Sequence, residues 1–469
     1  MSTNNEAFDV VVIGAGPGGY VAAIRAAQVG LRTAIVEKDK NLGGTCLLRG
    51  CIPTKALLHT ADVLDEFKHA KNIGVVTEGV SLDMPQAQKN KNKIVLKLSK
   101  GVEFLMKKNK IQTFKGAARI ESAGQITVTG AEGSTQMVQT RNIIIATGSV
   151  PRSLPGLDID GQQIITSDEI LELNEVPKSL IVLGAGAVGV EFASMYARFG
   201  SDVTILELLP RLLPIEDEEI SSELGKSFKK QGIKAFTGAN FQKAVKEDGQ
   251  VRVTARVGDA DREFVAEKLL VATGRAAYTA GLGLENLGVE TDKRGYIQVD
   301  DHMRTNVPNV YAIGDVVPTP WLAHVASAEG IVAAETIAGK NPRPINYDQV
   351  PNCTYCHPEV ASVGLTEAKA KERGYEVKVG KFPTPILAKA QIQGATEGLV
   401  KIVSDAKYDE VLGLHIIGPQ ATELIVEGCT ALRMEATVEE LIHTMHAHPT
   451  VSEGLHEAAE DVHGMATQI

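Results

Sequence analysis

Short unbroken apolar runs alternate along this chain with longer stretches in which apolar residues return every three or four positions. Val10–Ile13 is one such run. It leads through Gly14-Ala-Gly16-Pro-Gly18-Gly19 into an apolar helical stretch reaching about Val29, and the run Thr33–Val36 then ends on Glu37. Runs this short, bounded by glycine, read as strands buried on both faces, as in a parallel sheet. The same order returns at Leu180–Leu183, Gly184-Ala-Gly186-Ala-Val-Gly189-Val-Glu191 and Val203–Leu206, which ends on Glu207. In both copies the acidic residue stands 23 positions after the first glycine (37 − 14 and 207 − 184). Two further runs, Ile143–Ser149 and Leu269–Arg275, close on Ala-Thr-Gly, and Thr305–Asp315 reads as a strand ending in Gly-Asp. Ile94, Leu98, Val102 and Leu105 recur at helical spacing among lysines 89, 91, 93, 97, 100, 107, 108 and 110, which predicts an amphipathic helix with a solvated basic face.

The repeated turn carries chemistry. Its glycines permit a tight turn, close approach of backbone to a pyrophosphate and close helix–strand packing, while the helix N-terminus faces the phosphate. The acidic residue ending the next strand can hydrogen-bond ribose hydroxyls. One such turn is weak evidence; two, each between a strand and a helix and each with its acid, point to two dinucleotides. Glu207 repels a 2′-phosphate, and no arginine follows it until Arg211, so the second site favours NAD over NADP.

Just downstream of the first turn stands Gly43-Gly44-Thr45-Cys46-Leu47-Leu48-Arg49-Gly50-Cys51-Ile52-Pro53-Thr54-Lys55. Cysteines five apart in a regular helix have Cα atoms about 8.6 Å apart, whereas a disulfide wants less than roughly 7 Å. If Cys46 and Cys51 pair, the backbone between them must break. Gly50 permits that, and Pro53 places the start or restart of a regular helix near Ile52. A thiol at that helix start is favoured as thiolate. A structural disulfide or two unrelated buried thiols remain the plainer alternatives.

The 469 residues suffice for two to four domains with sizeable cores. A net charge of −10 argues against nucleic acid or an anionic membrane as partner. No apolar run approaches the ~18 residues of a membrane span. Five cysteines are too few for a disulfide-stapled secreted scaffold, and Met1–Asp9 shows no leader pattern, so a cytoplasmic setting is expected. Cys353-Thr-Tyr-Cys356-His357 has the spacing of a haem-attachment motif, but without export buried free thiols are the better reading, as for Cys429 on the helical stretch Thr422–Met434. No metal site is expected.

In combination these motifs resemble the pyridine nucleotide–disulfide oxidoreductases, from Phe8 to about Gly464. The resemblance is strongest to the branch that oxidises protein-bound dihydrolipoamide. It implies an α/β fold of two Rossmann-like domains plus a C-terminal α+β dimerisation domain. Expected bounds are 1–148 and 274–345 for a split FAD domain, 149–273 for an NAD domain, and 346–469 for dimerisation. FAD would be held by Gly14, Gly16, Gly19, Glu37, Lys55, Gly116, Thr147, Gly148, Ser149, Gly314, Asp315, Ala323 and His324. NAD would be held by Gly184, Gly186, Gly189, Glu191, Glu207 and Gly274. Lys55 would pair with Glu191 near the flavin. Cys46 would exchange with substrate and Cys51 would lie against the flavin. His443-Thr-Met-His446-Ala-His448-Pro449-Thr-Val-Ser-Glu453 offers a base, since thiol exchange needs a thiolate; the resemblance selects His448, oriented by Glu453 and serving the other subunit of a homodimer. Lipoyl domains of 2-oxo acid dehydrogenase acyltransferases, or a lipoylated glycine-cleavage carrier, would be the partners on separate chains. Leu48-Arg49 departs from the smaller pair common in relatives, and Val325 stands where many carry lysine. The alternatives are another disulfide reductase of the superfamily or a non-enzymatic scaffold that binds lipoyl domains.

Overall fold

The apolar runs are strands, and the glycine-bounded ones run parallel. In the computed structural model, which describes residues 7–395 and 397–469, Phe8–Ile13 lies between Thr33–Glu37 and Thr135–Ile145, with Ile13 level with both Val36 and Ile145. Met1–Glu6, part of the leader reading, lies outside the described residues. Contacts group the chain into two compact units: Met1–Ala56 with Pro85–Arg152 and Arg275–Tyr347, and Leu57–Met84 with Ser153–Gly274 and Asp348–Ile469. The stretch 57–84, assigned to the first nucleotide domain on sequence, thus groups with the second unit.

In the first unit the parallel strands follow the order Gln112–Lys115, Thr33–Glu37, Phe8–Ile13, Thr135–Ile145, and Val310–Ala312 pairs with the outer edge of the last. Val10, Val11 and Val12 are fully buried, the expected fate of a strand covered on both faces. The start of Thr135–Ile145 also pairs antiparallel with Gln125–Thr129, which in turn pairs with Ala117–Ser122. Helix Pro17–Gln28 has its proline in the first turn, where a missing N–H costs nothing. It packs closely on helix Ala323–Ile337: a Cβ on Gly330 would stand 2.6 Å from the Gly18 carbonyl oxygen.

The second unit repeats the parallel plan in the order Lys234–Thr237, Asp202–Glu207, Ser179–Leu183, Lys268–Val271, Ile164–Ile165. An antiparallel three-stranded sheet, Ala239–Glu247, Gln250–Val257 and Ala260–Ala266, is inserted before Lys268. The C-terminal part is a five-stranded antiparallel sheet, Asn352–Thr354, Glu359–Gly364, Val411–Gly418, Leu399–Asp405, Val377–Pro383, packed with helices Ala421–Arg433 and Glu453–Val462 around one apolar core. Cys356 is buried there, and its Sγ donates to the Pro358 carbonyl at 3.2 Å. Cys429 is half-buried on Ala421–Arg433.

One predicted face is rotated. The basic helix exists as Met84–Lys108, but Leu98 is 42% exposed while Lys91 is 1% exposed. The inward stripe runs Gln88, Lys91, Ser99, Val102 and Met106; of the expected face Val102 keeps its place, Leu105 packs part-buried against the core, and Leu98 turns outward. Ser99 can face inward because its hydroxyl donates to the Leu42 carbonyl at 2.7 Å, which removes the cost of burying it. Apolar spacing alone carries no sign of such a bond.

Candidate functional site

At the first glycine turn the backbone leaves no room for side chains. Gly14 has φ +103, and a Cβ there would lie 2.3 Å from the Ala146 carbonyl oxygen; one on Gly19 would lie 1.9 Å from that of Gly14. Gly16 caps helix Pro17–Gln28 with no side-chain cap, so the first-turn N–H groups are left to receive an anion. Glu37 completes the turn: its carboxylate accepts the Ala15 N–H at 2.7 Å and the Asp39 N–H at 2.8 Å. Burial still pushes its carboxyl above the ordinary value, against the hydrogen bond from Ala15 and the charges of Lys115 and Lys38.

The cysteines sit hard against this turn. Gly44 begins helix Gly44–Arg49 at φ +60, and a Cβ on it would stand 2.4 Å from the Gly16 Cα. The helix ends at Gly50, with φ −142 and ψ −109, and a new helix, Cys51–His69, starts at once. The required break is therefore present, one residue before the expected restart. It brings the two sulfurs into hydrogen-bonding contact. The Cys46 thiol is pushed far up by that bond to Cys51, then by burial, while the charge of Lys55 works against both. Two thiols in contact resist a second ionisation, so the reduced pair carries at most one negative charge. Tyr20, not expected from sequence, lies close by: its phenol is pushed up by burial and then by the two thiols. The unusual Leu48 and Arg49 are both engaged elsewhere, Leu48 in the core and Arg49 with Asp39.

The remaining first-unit residues are held by several separate polar contacts. Gly116 (φ +152) donates its N–H to the Glu37 carbonyl at 2.9 Å. The Thr147 hydroxyl donates to the Tyr278 carbonyl at 2.6 Å, and the Gly148 carbonyl accepts the Tyr278 N–H at 2.8 Å. The Ser149 hydroxyl donates to Asp315 Oδ2 at 2.5 Å and accepts from Arg275 Nε at 2.6 Å. Gly314 donates its N–H to Glu329 at 2.6 Å. Ala323 and His324 open helix Ala323–Ile337, with His324 exposed and Val325 buried.

The second turn repeats the first. Gly184 has φ +106 with the Ala272 carbonyl oxygen 2.4 Å from a would-be Cβ, and Gly189 has that of Gly184 at 2.0 Å. Gly186 has nothing within 4 Å of its would-be Cβ. Glu207 accepts the Ala185 N–H at 2.5 Å and the Leu209 N–H at 2.7 Å. Gly274 has φ +112. Glu191 is buried, and its Oε1 accepts the Tyr355 N–H at 2.9 Å.

The C-terminal histidines separate by partner. His448 Nδ1 lies 2.8 Å from Glu453 Oε1, and Glu453 Oε2 accepts the Thr450 N–H at 2.8 Å. Burial opposes ionisation of Glu453, but the Thr450 N–H, His448 and His446 together hold its carboxyl below the ordinary value. A carboxylate at Nδ1 assigns the proton to that nitrogen and leaves Nε2 with a lone pair. The side chain of His448 is 72% exposed. His443 is exposed beside Glu439, and His446 is tucked against Glu427.

Two family models cover almost the whole chain: the pyridine nucleotide-disulphide oxidoreductase model over residues 8–330 and its dimerisation domain over 350–459. The chain belongs to the pyridine nucleotide-disulphide oxidoreductase family. Enzymes of this family use FAD with a pyridine nucleotide. The chain is 50% identical to a dihydrolipoyl dehydrogenase of Chlorobaculum tepidum, over 97% of both chains, and 47% identical to one of Bacillus subtilis, over 98% of both. It also matches the crystal structure of LpdA from Mycobacterium tuberculosis at TM-score 0.89 and 28% identity, over 96% of this chain and 99% of that one.

Sequence reasoning missed three supports of this family site. Glu329 is wholly buried and bonded to Gly314 and Tyr347, Arg275 holds Ser149, and the Tyr355 N–H holds Glu191. Glu329 had a signal, a lone acid inside the apolar stretch Val325–Ala334; the others act through backbone or by fold alone. Among the described residues no cluster suited to a metal is present, and no helix is long and apolar enough to cross a membrane.

Proposed function

We propose that this chain oxidises dihydrolipoamide carried on another protein, passing two electrons through Cys46 and Cys51 to NAD+. The contact of the two sulfurs across the Gly50 break, jammed against a dinucleotide turn, is the observation that carries this reading. FAD suits the first turn because Gly14 and Gly19 let the backbone close tightly and Gly16 leaves the helix N-terminus without a side-chain cap. Gly14, Gly16, Gly19, Glu37, Gly116, Thr147, Gly148, Ser149, Gly314, Asp315, Ala323 and His324 would hold it. NAD suits the second turn on the same grounds, with Gly184, Gly186, Gly189, Glu207 and Gly274. When bound, FAD supplies two-electron acceptance from a dithiol and hydride donation to NAD+.

The chain's own residues do the rest. In the oxidised enzyme Cys46 and Cys51 share a disulfide. His448 Nε2 takes the proton of one substrate thiol, and the resulting thiolate attacks Cys46 Sγ. The Cys46–Cys51 bond breaks and Cys51 leaves as a thiolate, its charge favoured by Lys55. The second substrate thiol attacks the mixed disulfide and passes its proton to the departing Cys46, so lipoamide closes, Cys46 ends as a thiol, and His448 releases the first proton to solvent. Glu453 keeps His448 in the tautomer this requires. Lys55 paired with Glu191 would flank the flavin. The exposure of His448, together with the dimerisation domain, supports a homodimer in which each His448 serves the partner's cysteines. The nucleotide domains would comprise about 1–148 with 274–345, and 149–273. Acyltransferase lipoyl domains or the lipoylated glycine-cleavage carrier are the expected partners, in the cytoplasm.

The purified chain should form NADH from NAD+ and dihydrolipoamide, with NADP+ a poor substitute. A chain that binds FAD yet forms no NADH with dihydrolipoamide overturns the reading. Turnover of other disulfides in preference would favour a different reductase of the family.

A further inference from the structure

Between helices Val438–His443 and Glu453–Val462 the chain carries His448 on an exposed stretch. From His443 to Pro449 every residue is exposed except His446, whose side chain is 7% exposed. His446 is the anchor of that stretch. Its Nε2 lies 2.9 Å from Glu427 Oε1, on helix Ala421–Arg433, and its Nδ1 lies 2.9 Å from the Thr444 carbonyl oxygen. Both nitrogens therefore face groups that only accept. A neutral ring has one donor, and its lone pair would then point at a carbonyl or a carboxylate; an imidazolium satisfies both.

We propose that His446 is a positioning residue for His448, a fixed imidazolium that pins the base-bearing stretch to Glu427 and sets the charge felt by Glu453. The inference rests on the proposed role of the His448–Glu453 pair. The titratable groups around His446 are Glu427 from one helix and Glu453 and His456 from the other. The His456 ring centroid lies 5.7 Å away, with Nδ1 buried and unpartnered and Nε2 toward Glu460 at 3.4 Å. Its bond to Glu427 holds the His446 ring above the ordinary histidine value, against burial, and its charge in turn helps hold Glu453 down. An ionised Glu453 keeps the His448 proton on Nδ1, which leaves Nε2 as the base. A cation at His446 also disfavours a further positive charge beside it.

The test uses the FAD-loaded dimer and its H446Q and E427Q variants. Ring-state NMR of histidine-labelled protein at pH 7.5 should show His446 doubly protonated in wild type and neutral in E427Q, a measurement independent of catalysis. Stopped-flow reduction of the flavin by dihydrolipoamide should slow at least tenfold in H446Q, with the acid limb of its rate profile moved to higher pH. FAD content and thermal midpoint report folding, and H446K, which restores a charge, should recover part of the limb position. A neutral His446 in wild type overturns the inference, as does a slower H446Q whose acid limb has not moved, since that is what a merely structural anchor gives. Wild type that fails to reduce its flavin with dihydrolipoamide instead overturns the proposed function, and the NMR result still decides the state of His446.

Discussion

At Gly14 and at Gly184 the backbone does the same thing. Each glycine takes φ near +105, each has a carbonyl oxygen of the neighbouring strand under 2.5 Å from a would-be Cβ, and each turn is closed by a glutamate accepting two backbone N–H groups. The two turns differ in the segment of chain beyond the glutamate. After Glu37 the chain returns through Gly43 and Gly44 to press a broken helix with two cysteines onto Gly16; after Glu207 it returns at Leu213, whose N–H reaches the Ala185 carbonyl at 2.9 Å, and leaves Gly186 open. A shared turn makes a dinucleotide seat. The return segment decides whether the seat is lined with redox chemistry or left open for a ligand that comes and goes.

The sharpest break in this comparison is at the cysteines. Cys51→Ser should lower dihydrolipoamide–NAD+ turnover by at least about a thousandfold, roughly 4 kcal/mol or more, while FAD stays bound; turnover above a tenth of wild type would remove the dithiol from the mechanism. Next come the equivalent glycines. Alanine at a positive-φ, closed position costs about 1–3 kcal/mol, so Gly184→Ala should raise KM for NAD+ roughly ten- to a hundredfold with flavin content intact. Gly14→Ala should instead lower FAD content, and a crossed result in either titration would undo the assignment of the two seats. A smaller effect is expected at Glu207: replacing it by glutamine should shift the kcat/KM ratio toward NADP+ by about tenfold, one charge–phosphate repulsion at surface strength, whereas Glu37→Gln should leave that ratio alone.

The last effect is on folding stability rather than on turnover. The segment after Glu207 ends at Glu216, whose carboxyl is pushed up from 4.5 to about 7 by burial, against a bond from Ser362 and the charge of Lys369. With the folded value above the unfolded one, the contribution of Glu216 is fully present below about pH 4.5 and is lost as pH rises through 7. Glu216→Gln should therefore match wild type near pH 4 and exceed it at pH 8 by up to about 3 kcal/mol, a rise of a few degrees in Tm. Equal melting of the two at pH 8 would show that Glu216 ionises freely.

Much of this was legible because it depends on local rules. Strand Phe8–Ile13, helix Pro17–Gln28 and strand Asp202–Glu207 fall within two residues of their expected bounds, since apolar runs, first-turn proline and turn glycine act over a few positions. The Cys46–Cys51 break followed from helix geometry once the two cysteines are taken as a pair. Legibility failed where a distant group supplied the missing half of an interaction. Ser99 faces the core by way of Leu42, and Lys91 is buried on the same face, so the apolar count misplaced that face by part of a turn. Glu191 and Glu329 owe their settings to Tyr355, Gly314 and Tyr347.

By itself the sequence determined the two glycine turns with their glutamates and, for a paired Cys46 and Cys51, the need for a broken helix between them, because steric limits on φ and helix rise are properties of the chain. Only the tertiary structure decided which histidine meets which acid. His446 and His448 are two residues apart and chemically alike, yet one is buried against Glu427, 19 positions earlier, and the other stands exposed on Glu453. That division comes from how helices Ala421–Arg433 and Glu453–Val462 pack on their sheet, and no local pattern encodes it.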